Sequence, residues 1–184
     1  MYNHMHINEV SKVYIIGSVA SGKTTMAKRM SKKLNIPWYE LDNVVHIRDK
    51  NGDRKRTEEE RNLEFHKILN EDKWIIEGVR RECFDFGFES SDLIILLDTP
   101  AKKRKYRILK RWIFQNFKIE EANYKPTINM LKRMYKWSSA YEKDRDKLLK
   151  DIELYKSKVV IVKTPKNIFK EIENYSYKIE PMDY

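Results

Sequence analysis

One segment of eight residues constrains the fold of this chain more than any other. Residues 17–24 read Gly-Ser-Val-Ala-Ser-Gly-Lys-Thr and match the pattern G-x-x-x-x-G-K-[ST] at every fixed position. In such a loop the backbone N–H groups surround phosphate oxygens, the lysine approaches the β- and γ-phosphates, and the threonine hydroxyl ligates Mg²⁺. We therefore expect a nucleotide site formed by the residues of this loop: Gly17, Ser18, Ala20, Ser21, Gly22, Lys23 and Thr24.

The residues on either side of the loop support that interpretation. Residues 13–16 are apolar and β-rich, as in a buried strand. Met26, Ala27 and Met30 follow at helical spacing, so the loop leads into a helix whose N-terminus attracts anions. This order of strand, glycine-rich turn and helix is the setting in which a phosphate loop binds nucleotide.

Apolar runs recur along the chain and alternate with helical patterns. The alternation is typical of a three-layer α/β fold, in which a parallel sheet has helices on both faces. A length of 184 residues suits a single domain spanning residues 1–184. We expect five strands, at residues 13–16, 38–41, 74–77, 93–97 and 159–162.

Capping residues mark the starts of two helices. Thr57 and Glu60 form a capping-box pattern, which predicts a helix after Thr57. Thr99 before Pro100 predicts that the threonine side chain caps the helix that follows.

Acidic residues follow three of the predicted strands. Parallel strands bring their carboxyl ends to one edge of the sheet, where ligands of α/β proteins bind. Asp42 would orient or deprotonate an attacking hydroxyl group or hold a metal-bound water; the alternative is that it only caps a helix. Glu77 and Asp98 both end strands of Walker B character, and the sequence leaves open which of them serves the metal. Arg80 and Arg81 are candidates to bind a substrate phosphate.

The positive charge of the chain is concentrated in one block. The formal net charge is +10, and residues 101–156 hold 17 Lys and Arg against 7 Asp and Glu, which accounts for the whole excess. Within this block Arg104, Arg107 and Arg111 are spaced so that they share one helix face. Such a face would close on a nucleotide and stabilise the charge of a phosphoryl group in transfer.

The composition favours a cytoplasmic protein that does not enter a membrane. No stretch of 18 apolar residues occurs, and residues 1–12 lack the apolar core of a signal peptide. Cys83 is the only cysteine, so an internal disulfide is excluded. We expect a monomer or a homodimer.

The loop, the acids after the strands and the arginine helix together resemble the adenylate-kinase-like P-loop kinases. Within that group the chain is most similar to the bacterial topology modulation (FlaR-related) proteins, from about residue 12 to residue 172. The resemblance implies a five-stranded sheet, an acceptor-binding region at residues 43–70 and a basic helical lid at residues 101–156. One departure is that Glu77 precedes Gly78, where relatives usually have Asp-Gly.

The resemblance also implies roles for individual residues in binding ATP, Mg²⁺ and an acceptor. These are phosphate and Mg²⁺ ligands at Lys23, Thr24 and Thr25, an acceptor-side acid at Asp42, lid arginines at Arg107 and Arg111, and an adenine contact at Thr164 and Pro165.

Two functions from different classes follow from these residues. The leading hypothesis is an ATP- and Mg²⁺-dependent small-molecule kinase, with nucleotides and nucleosides among the candidate acceptors. The alternative is a nucleotide-regulated nucleic-acid-binding (DNA topology modulation) protein, in which residues 101–156 contact DNA or RNA phosphates. Aromatic residues of that block, such as Phe117 and Trp137, would stack on bases in this alternative, although we expect them to be buried in a helical subdomain. A GTPase is disfavoured, because the chain has no Asn-Lys-x-Asp motif.

Overall fold

A five-stranded parallel sheet lies at the centre of the computed structural model, which describes residues 2–4, 9–48, 53–119, 126–163 and 176–178. Its strand order is β3-β6-β2-β7-β8, and each neighbouring pair is parallel. Two short antiparallel ribbons pair β1 with β9 and β4 with β5. The predicted α/β class is therefore confirmed. The strands are β1 (Tyr2–His4), β2 (Lys12–Gly17), β3 (Trp38–Glu40), β4 (His46–Ile47), β5 (Arg54–Lys55), β6 (Trp74–Gly78), β7 (Leu93–Leu97), β8 (Val159–Val162) and β9 (Ser176–Lys178).

Helices cover both faces of this sheet, as the continuous apolar strands predict. On one face Val13, Ile15 and Ile75 pack with Met26 and other residues of the first helix. The opposite face packs against four helices, the second, third, fourth and sixth along the chain. The helices are α1 (Lys23–Leu34), α2 (Leu41–Val45), α3 (Glu58–Leu69), α4 (Phe86–Ser90), α5 (Ala101–Asn116) and α6 (Ile128–Glu153), with 3₁₀ turns at Glu82–Phe84 and Lys156–Lys158.

The second predicted strand ends one residue early. Leu41 begins α2 instead of ending β3, and its side chain is buried in the core. The Leu41 side chain lies against Gly78, where an added Cβ atom would come within 2.7 Å of the Leu41 Cβ. Glycine at the end of β6 thus lets α2 start directly against the sheet.

One of the two predicted caps is present and the other is not. Thr57 and Glu60 form the reciprocal capping box of α3, with bonds of 3.2 and 2.9 Å. Thr99 does not cap α5, because Pro100 occupies the N-cap position. The buried Thr99 hydroxyl instead donates to the Ser21 carbonyl oxygen, 3.0 Å away. Thr99, which the sequence predicts as the cap of α5, therefore contacts the phosphate loop instead.

The helices α5 and α6 pack side by side and form most of the basic block. Tyr135 of α6 donates to the Lys105 carbonyl oxygen of α5 at 3.2 Å. Phe117 and Trp137 are 73% and 50% exposed, so the expectation that both are buried is wrong. Helices α5 and α6 each bury one face, and these two side chains do not belong to either buried face.

Among the described residues, no helix has both the length and the apolar character needed to cross a bilayer.

Candidate active site

The phosphate loop is tightly curled between β2 and α1. Gly22 has a φ of 104° and Ala20 a φ of 57°, in the left-handed region that lets the chain reverse direction. A Cβ atom on Gly17 would lie 2.8 Å from the Leu97 carbonyl oxygen and 2.9 Å from Ser21 Oγ. Because α1 begins at Lys23, the unpaired N–H groups of its first turn belong to the loop region. Both glycines of the motif are thus required by the local geometry.

Polar groups that suit a phosphate ligand converge on this loop. Lys23 Nζ donates to the Ser18 carbonyl oxygen at 2.9 Å. Burial lowers the pKa of Lys23, and the nearby carboxylates of Glu77 and Asp42 oppose that effect. The hydroxyl groups of Ser18 and Ser21 are buried without a hydrogen-bond partner in the described part of the chain. A cationic group and orphaned hydroxyls in a glycine-lined cradle fit nucleotide phosphates.

The predicted metal ligands Thr24 and Glu77 are in direct contact. Thr24 Oγ1 donates to Glu77 Oε1 at 2.5 Å. Burial raises the pKa of Glu77, while Lys23 and the Thr24 hydroxyl act in the opposite direction. Over the described ranges, no cluster of three or more His, Cys, Asp or Glu side chains could hold a metal ion by itself. One hydroxyl and one carboxylate suit Mg²⁺, which keeps several waters and takes other ligands from substrate phosphates.

Asp98, the other candidate metal ligand, is paired with an arginine. Its two carboxylate oxygens accept hydrogen bonds from Arg145 of α6, at 3.0 and 2.7 Å. These bonds lower the pKa of Asp98. The structure therefore pairs Thr24 with Glu77 and pairs Asp98 with an arginine that the sequence did not single out.

Asp42 follows Leu41 on the exposed side of α2, directly after the carboxyl end of β3. Its side chain is 64% exposed and accepts a 2.9 Å ion-pair contact from Arg81 Nη2. Glu40, not Asp42, is the N-cap residue of α2, so the capping alternative for Asp42 does not hold. The other arginine, Arg80, donates to Asp85 at 3.2 and 2.7 Å and to Asp151 of α6, and so has a structural role.

The three arginines of α5 divide into two groups. Arg107 Nη1 donates to the carbonyl oxygens of Ser21 at 2.8 Å and Ala20 at 3.3 Å. The charge of Arg111 contributes to lowering the pKa values of Lys23 and Arg107, which burial lowers most. Arg104 shares this face of α5, as its spacing predicts, but its side chain is buried against Ser138 of α6 and does not contact the loop.

Residues 43–70, the predicted acceptor-binding region, are described except for residues 49–52. It consists of the rest of α2, the β4–β5 ribbon and α3. Arg56 Nη1 holds the region together by donating to the carbonyl oxygens of Val44 and His46 at 3.2 and 3.3 Å. A cleft of about 520 Å³ lies between Glu40, α2 and α3.

One further predicted ligand does not face the loop, and two others cannot be placed among the described residues. Thr25 is exposed on α1, and Thr164 and Pro165 lie outside the described residues. Two contacting residues were missed by sequence reasoning as part of the site: Thr99, which was assigned to a helix cap, and Arg145. Thr99 follows Asp98 at a strand end, which is the signal that could have identified it.

A shikimate kinase from Aquifex aeolicus (strain VF5) is 42% identical over 38 residues, which is 21% of this chain and 23% of that protein. The aligned segment thus spans less than a quarter of the curated relative.

Two solved structures share the fold over nearly the whole chain. A shikimate kinase from Acinetobacter baumannii in complex with shikimate superposes with a TM-score of 0.57, at 14% identity, over 90% of this chain and 92% of that chain. A gluconokinase from Sinorhizobium meliloti 1021 gives a TM-score of 0.51, at 13% identity, over 88% and 89%.

A family model described as an AAA domain (AAA_18) matches residues 13–122, which is more than half of the chain. This span contains the phosphate loop, Asp42, Glu77 and the arginines of α5. The chain therefore belongs to the AAA_18 family of AAA domains and has the α/β fold of the P-loop kinases.

Proposed function

We propose that this protein is an ATP- and Mg²⁺-dependent kinase that phosphorylates a small molecule. The observation that carries the proposal is the 2.5 Å hydrogen bond from Thr24 Oγ1 to Glu77 Oε1, directly after Lys23 in the phosphate loop. This hydrogen bond connects the loop that would bind the donor phosphates with the carboxylate that would help to bind Mg²⁺. The AAA_18 match and the kinase fold are consistent with this activity.

The donor side would use the loop and the two residues beside it. The loop N–H groups and the Lys23 ammonium would bind the β- and γ-phosphates of ATP. Thr24 and Glu77 would hold Mg²⁺, which neutralises charge on the phosphates when bound. Glu77 is the better of the two candidate acids, since both oxygens of Asp98 already accept hydrogen bonds from Arg145.

The acceptor side would use the Asp42–Arg81 pair. Asp42 is exposed enough to orient a hydroxyl group or accept its proton. The Arg81 side chain is about a third exposed and its Nη1 has no hydrogen-bond partner in the described part of the chain, so a small rotation of the guanidinium would let it donate to an anionic oxygen. The pair therefore favours an acceptor with both a hydroxyl group and a carboxylate or phosphate.

The arginine helix would supply the charge that stabilises the transferred phosphoryl group. Arg107 already contacts the loop through two carbonyl oxygens, and the charge of Arg111 acts on Lys23. Both positive groups would reduce the energy of negative charge that spreads over the phosphoryl oxygens in the transition state.

Three further assignments accompany this proposal. The resemblance over residues 13–25, 34–42, 73–78, 92–100 and 107–111 supports assigning the chain to the topology modulation (FlaR-related) proteins within the P-loop kinases. Dependence on ATP favours the cytoplasm as its compartment. The active form would be a monomer or a homodimer, since both halves of the proposed site come from one chain.

The test is a screen for phosphoryl transfer from ATP to small hydroxylated compounds, divided into phosphorylated, carboxylated and uncharged sets. We expect Mg²⁺-dependent product from an anionic set, and Arg81→Gln should raise the acceptor KM without changing the KM for ATP. Lys23→Ala should abolish transfer, while Lys32→Ala, an exposed lysine on the same helix, should not. Absence of product from every set, or product unchanged by Lys23→Ala, would contradict the proposal.

A second candidate function, nucleic-acid binding, is favoured by one observation on α6. Five exposed lysines lie within about 60° of one another around this helix, at about 100° per residue. They extend along about 27 Å of its length, at 1.5 Å per residue. Such a straight cationic stripe suits a phosphate backbone. The stripe consists of Lys132, Lys136, Lys143, Lys147 and Lys150.

Binding of single-stranded and duplex DNA at several salt concentrations tests this second function. We expect the affinity to fall steeply as salt rises, and the slope to decrease in the double variant Lys136→Gln/Lys143→Gln. Affinity that the two substitutions leave unchanged, or that does not depend on salt, would exclude it.

A further inference from the structure

A continuous set of buried contacts connects α6 to the phosphate loop. It begins at Thr99, which is fully buried between the end of β7 and the start of α5. The Thr99 hydroxyl donates to the Ser21 carbonyl oxygen at 3.0 Å, and Arg107 donates to the same oxygen at 2.8 Å. The carbonyl and the next N–H of a trans peptide point in opposite directions. Holding the Ser21 carbonyl therefore also fixes the direction of the Gly22 N–H, one of the groups of the phosphate loop.

Arg104 links Thr99 to α6. This side chain is 1% exposed, and its Nη1 donates to the Thr99 carbonyl oxygen at 2.6 Å. Its Nε and Nη2 donate to Ser138 Oγ and O of α6 at 3.3 and 3.2 Å, and Nη2 donates to Glu142 Oε1 at 2.5 Å. The guanidinium also lies 4.9 Å from the centre of the Tyr141 ring. A buried guanidinium whose three nitrogens are all bonded has one defined position.

Arg145 makes a second link, one turn further along α6. It donates from two nitrogens to the two carboxylate oxygens of Asp98, the residue directly before Thr99. A bidentate pair of this kind fixes orientation as well as distance. Two arginines thus hold the Asp98–Thr99 segment, one from α5 and one from α6.

We propose that Arg104 and Arg145 are positioning residues that couple α6 to the phosphate loop through Thr99, so that the placement of α6 sets the affinity of the loop for nucleotide. The proposal rests on the proposed function in one respect, that the loop binds ATP. It goes further in assigning control of that affinity to contacts on α6, which lies outside the loop. Neither arginine is a catalytic residue, since each acts through Thr99 or Asp98.

The test is a double-mutant cycle on the Kd for ATP with Mg²⁺, together with thermal unfolding of every variant. Glu142→Gln removes the charge that binds Arg104, and Asp144→Asn makes the same chemical change at an exposed position two residues away. We expect Glu142→Gln to raise the Kd about fivefold, the lower end of typical coupling between sites. Asp144→Asn should leave the Kd unchanged.

Thr99→Val removes the hydroxyl that binds Ser21 and should itself raise the Kd. In this background Glu142→Gln should have no further effect, because the path through Thr99 is already broken. If Glu142 had a purely structural role, its effect on the Kd would instead add to that of Thr99→Val, and the Kd would rise in proportion to the loss of thermal stability. Additive effects, or a Kd insensitive to Glu142→Gln alone, would overturn the proposal.

Arg145 provides an independent arm, because it is partly exposed and its substitution should not prevent folding. Arg145→Gln should raise the KM for ATP more than it lowers kcat, and Arg145→Lys should recover part of the loss. A change in kcat alone would contradict the positioning role. If the unsubstituted protein binds no ATP, both the proposed function and this coupling are refuted. If it binds ATP and none of these substitutions changes the Kd or the KM for ATP, the coupling alone is refuted.

Discussion

Thr24 Oγ1 and Glu77 Oε1 lie 2.5 Å apart in a hydrogen bond that connects residues 53 positions apart in the sequence. The parallel pairing of β2 with β6 sets this contact, since Ile15 lies opposite Glu77 and Ile16 opposite Gly78. The carboxyl ends of the two strands therefore present the phosphate loop and the acid at the same edge of the sheet. The predictions that follow depend on this relationship and on the contacts around it.

Glu77→Gln should remove the dependence of ATP binding on Mg²⁺. The amide keeps the size of the side chain and can still accept from Thr24, but it lacks the charge that attracts the metal. We expect the rate of phosphoryl transfer to fall by about 10²–10³-fold, as for loss of one strong electrostatic group. ATP titrations with and without Mg²⁺ measure the effect, and an unchanged Mg²⁺ dependence would contradict the assignment.

The same substitution should stabilise the fold at neutral pH. Burial raises the pKa of Glu77, so the folded protein binds this proton more tightly than the unfolded chain does. The contribution of Glu77 to stability is therefore complete below the ordinary glutamate pKa of about 4.3 and is lost as pH rises through its raised pKa. Chemical denaturation at several pH values should show Glu77→Gln as more stable than the unsubstituted protein near pH 7 and the difference shrinking in acid. A variant that is less stable near pH 7 would show that the carboxylate is stabilised by its neighbours.

Asp98→Asn should lower stability and leave the Mg²⁺ dependence intact. Hydrogen bonds from Arg145 lower the pKa of Asp98, so its contribution is present above the ordinary aspartate pKa of about 3.9 and is lost as pH falls through the lowered value. Because Arg145 is a third exposed, we expect a loss of only about 1 kcal/mol at pH 7. Denaturation and Mg²⁺ titration of this variant beside Glu77→Gln distinguish the two acids. Loss of Mg²⁺ dependence in Asp98→Asn would assign the metal to Asp98.

Gly78→Ala should displace α2 and the acid it bears. The added Cβ would lie 2.7 Å from Cβ and Cδ1 of Leu41, too close for either side chain to stay in place. We expect a destabilisation of about 1–3 kcal/mol, typical of an overpacked core, and a lower kcat because Asp42 follows Leu41. Adding Leu41→Gly, which removes the Cβ as well as the Cδ1 that the new methyl group meets, should restore part of the activity. A fully active Gly78→Ala variant would show that the position of α2 is not critical.

Arg107→Gln should lower kcat by about 10²-fold, since one cationic group near the transferred phosphoryl is lost. Lys103→Gln, at an exposed position on the same helix, is the matched control and should have little effect. Steady-state kinetics with a saturating acceptor measure both variants. Equal effects of the two substitutions would indicate that only the overall charge of α5 matters.

The fold was largely predictable from local patterns. Apolar runs marked β2, β6, β7 and β8, whereas β3 is Trp-Tyr-Glu and only half-buried; the motif at residues 17–24 located the turn between β2 and α1. The boundary at Leu41 was not predictable, because it depends on the contact with Gly78, 37 positions later in the chain. Periodicity reports which residues are apolar, but not where a distant glycine lets a helix begin.

The candidate site was predictable only as far as residue types allow. Lys23 and Thr24 are fixed by the motif, whereas Glu77 and Asp98 looked equivalent because both end apolar strands. What separates them is the side chain that each acid contacts, Thr24 in one case and Arg145 in the other. The same limit applies to Arg104, whose helical spacing matched that of Arg107 but whose side chain is buried between two helices.

The central claim, phosphoryl transfer at the phosphate loop, is tested most directly by measuring ADP and phosphorylated acceptor in the same reaction. With the acceptor found by the metabolite screen and with Mg²⁺ present, we expect one phosphorylated acceptor for each ADP, and neither product with Lys23→Ala. ADP formed without a phosphorylated acceptor, or transfer that persists in Lys23→Ala, would contradict the account.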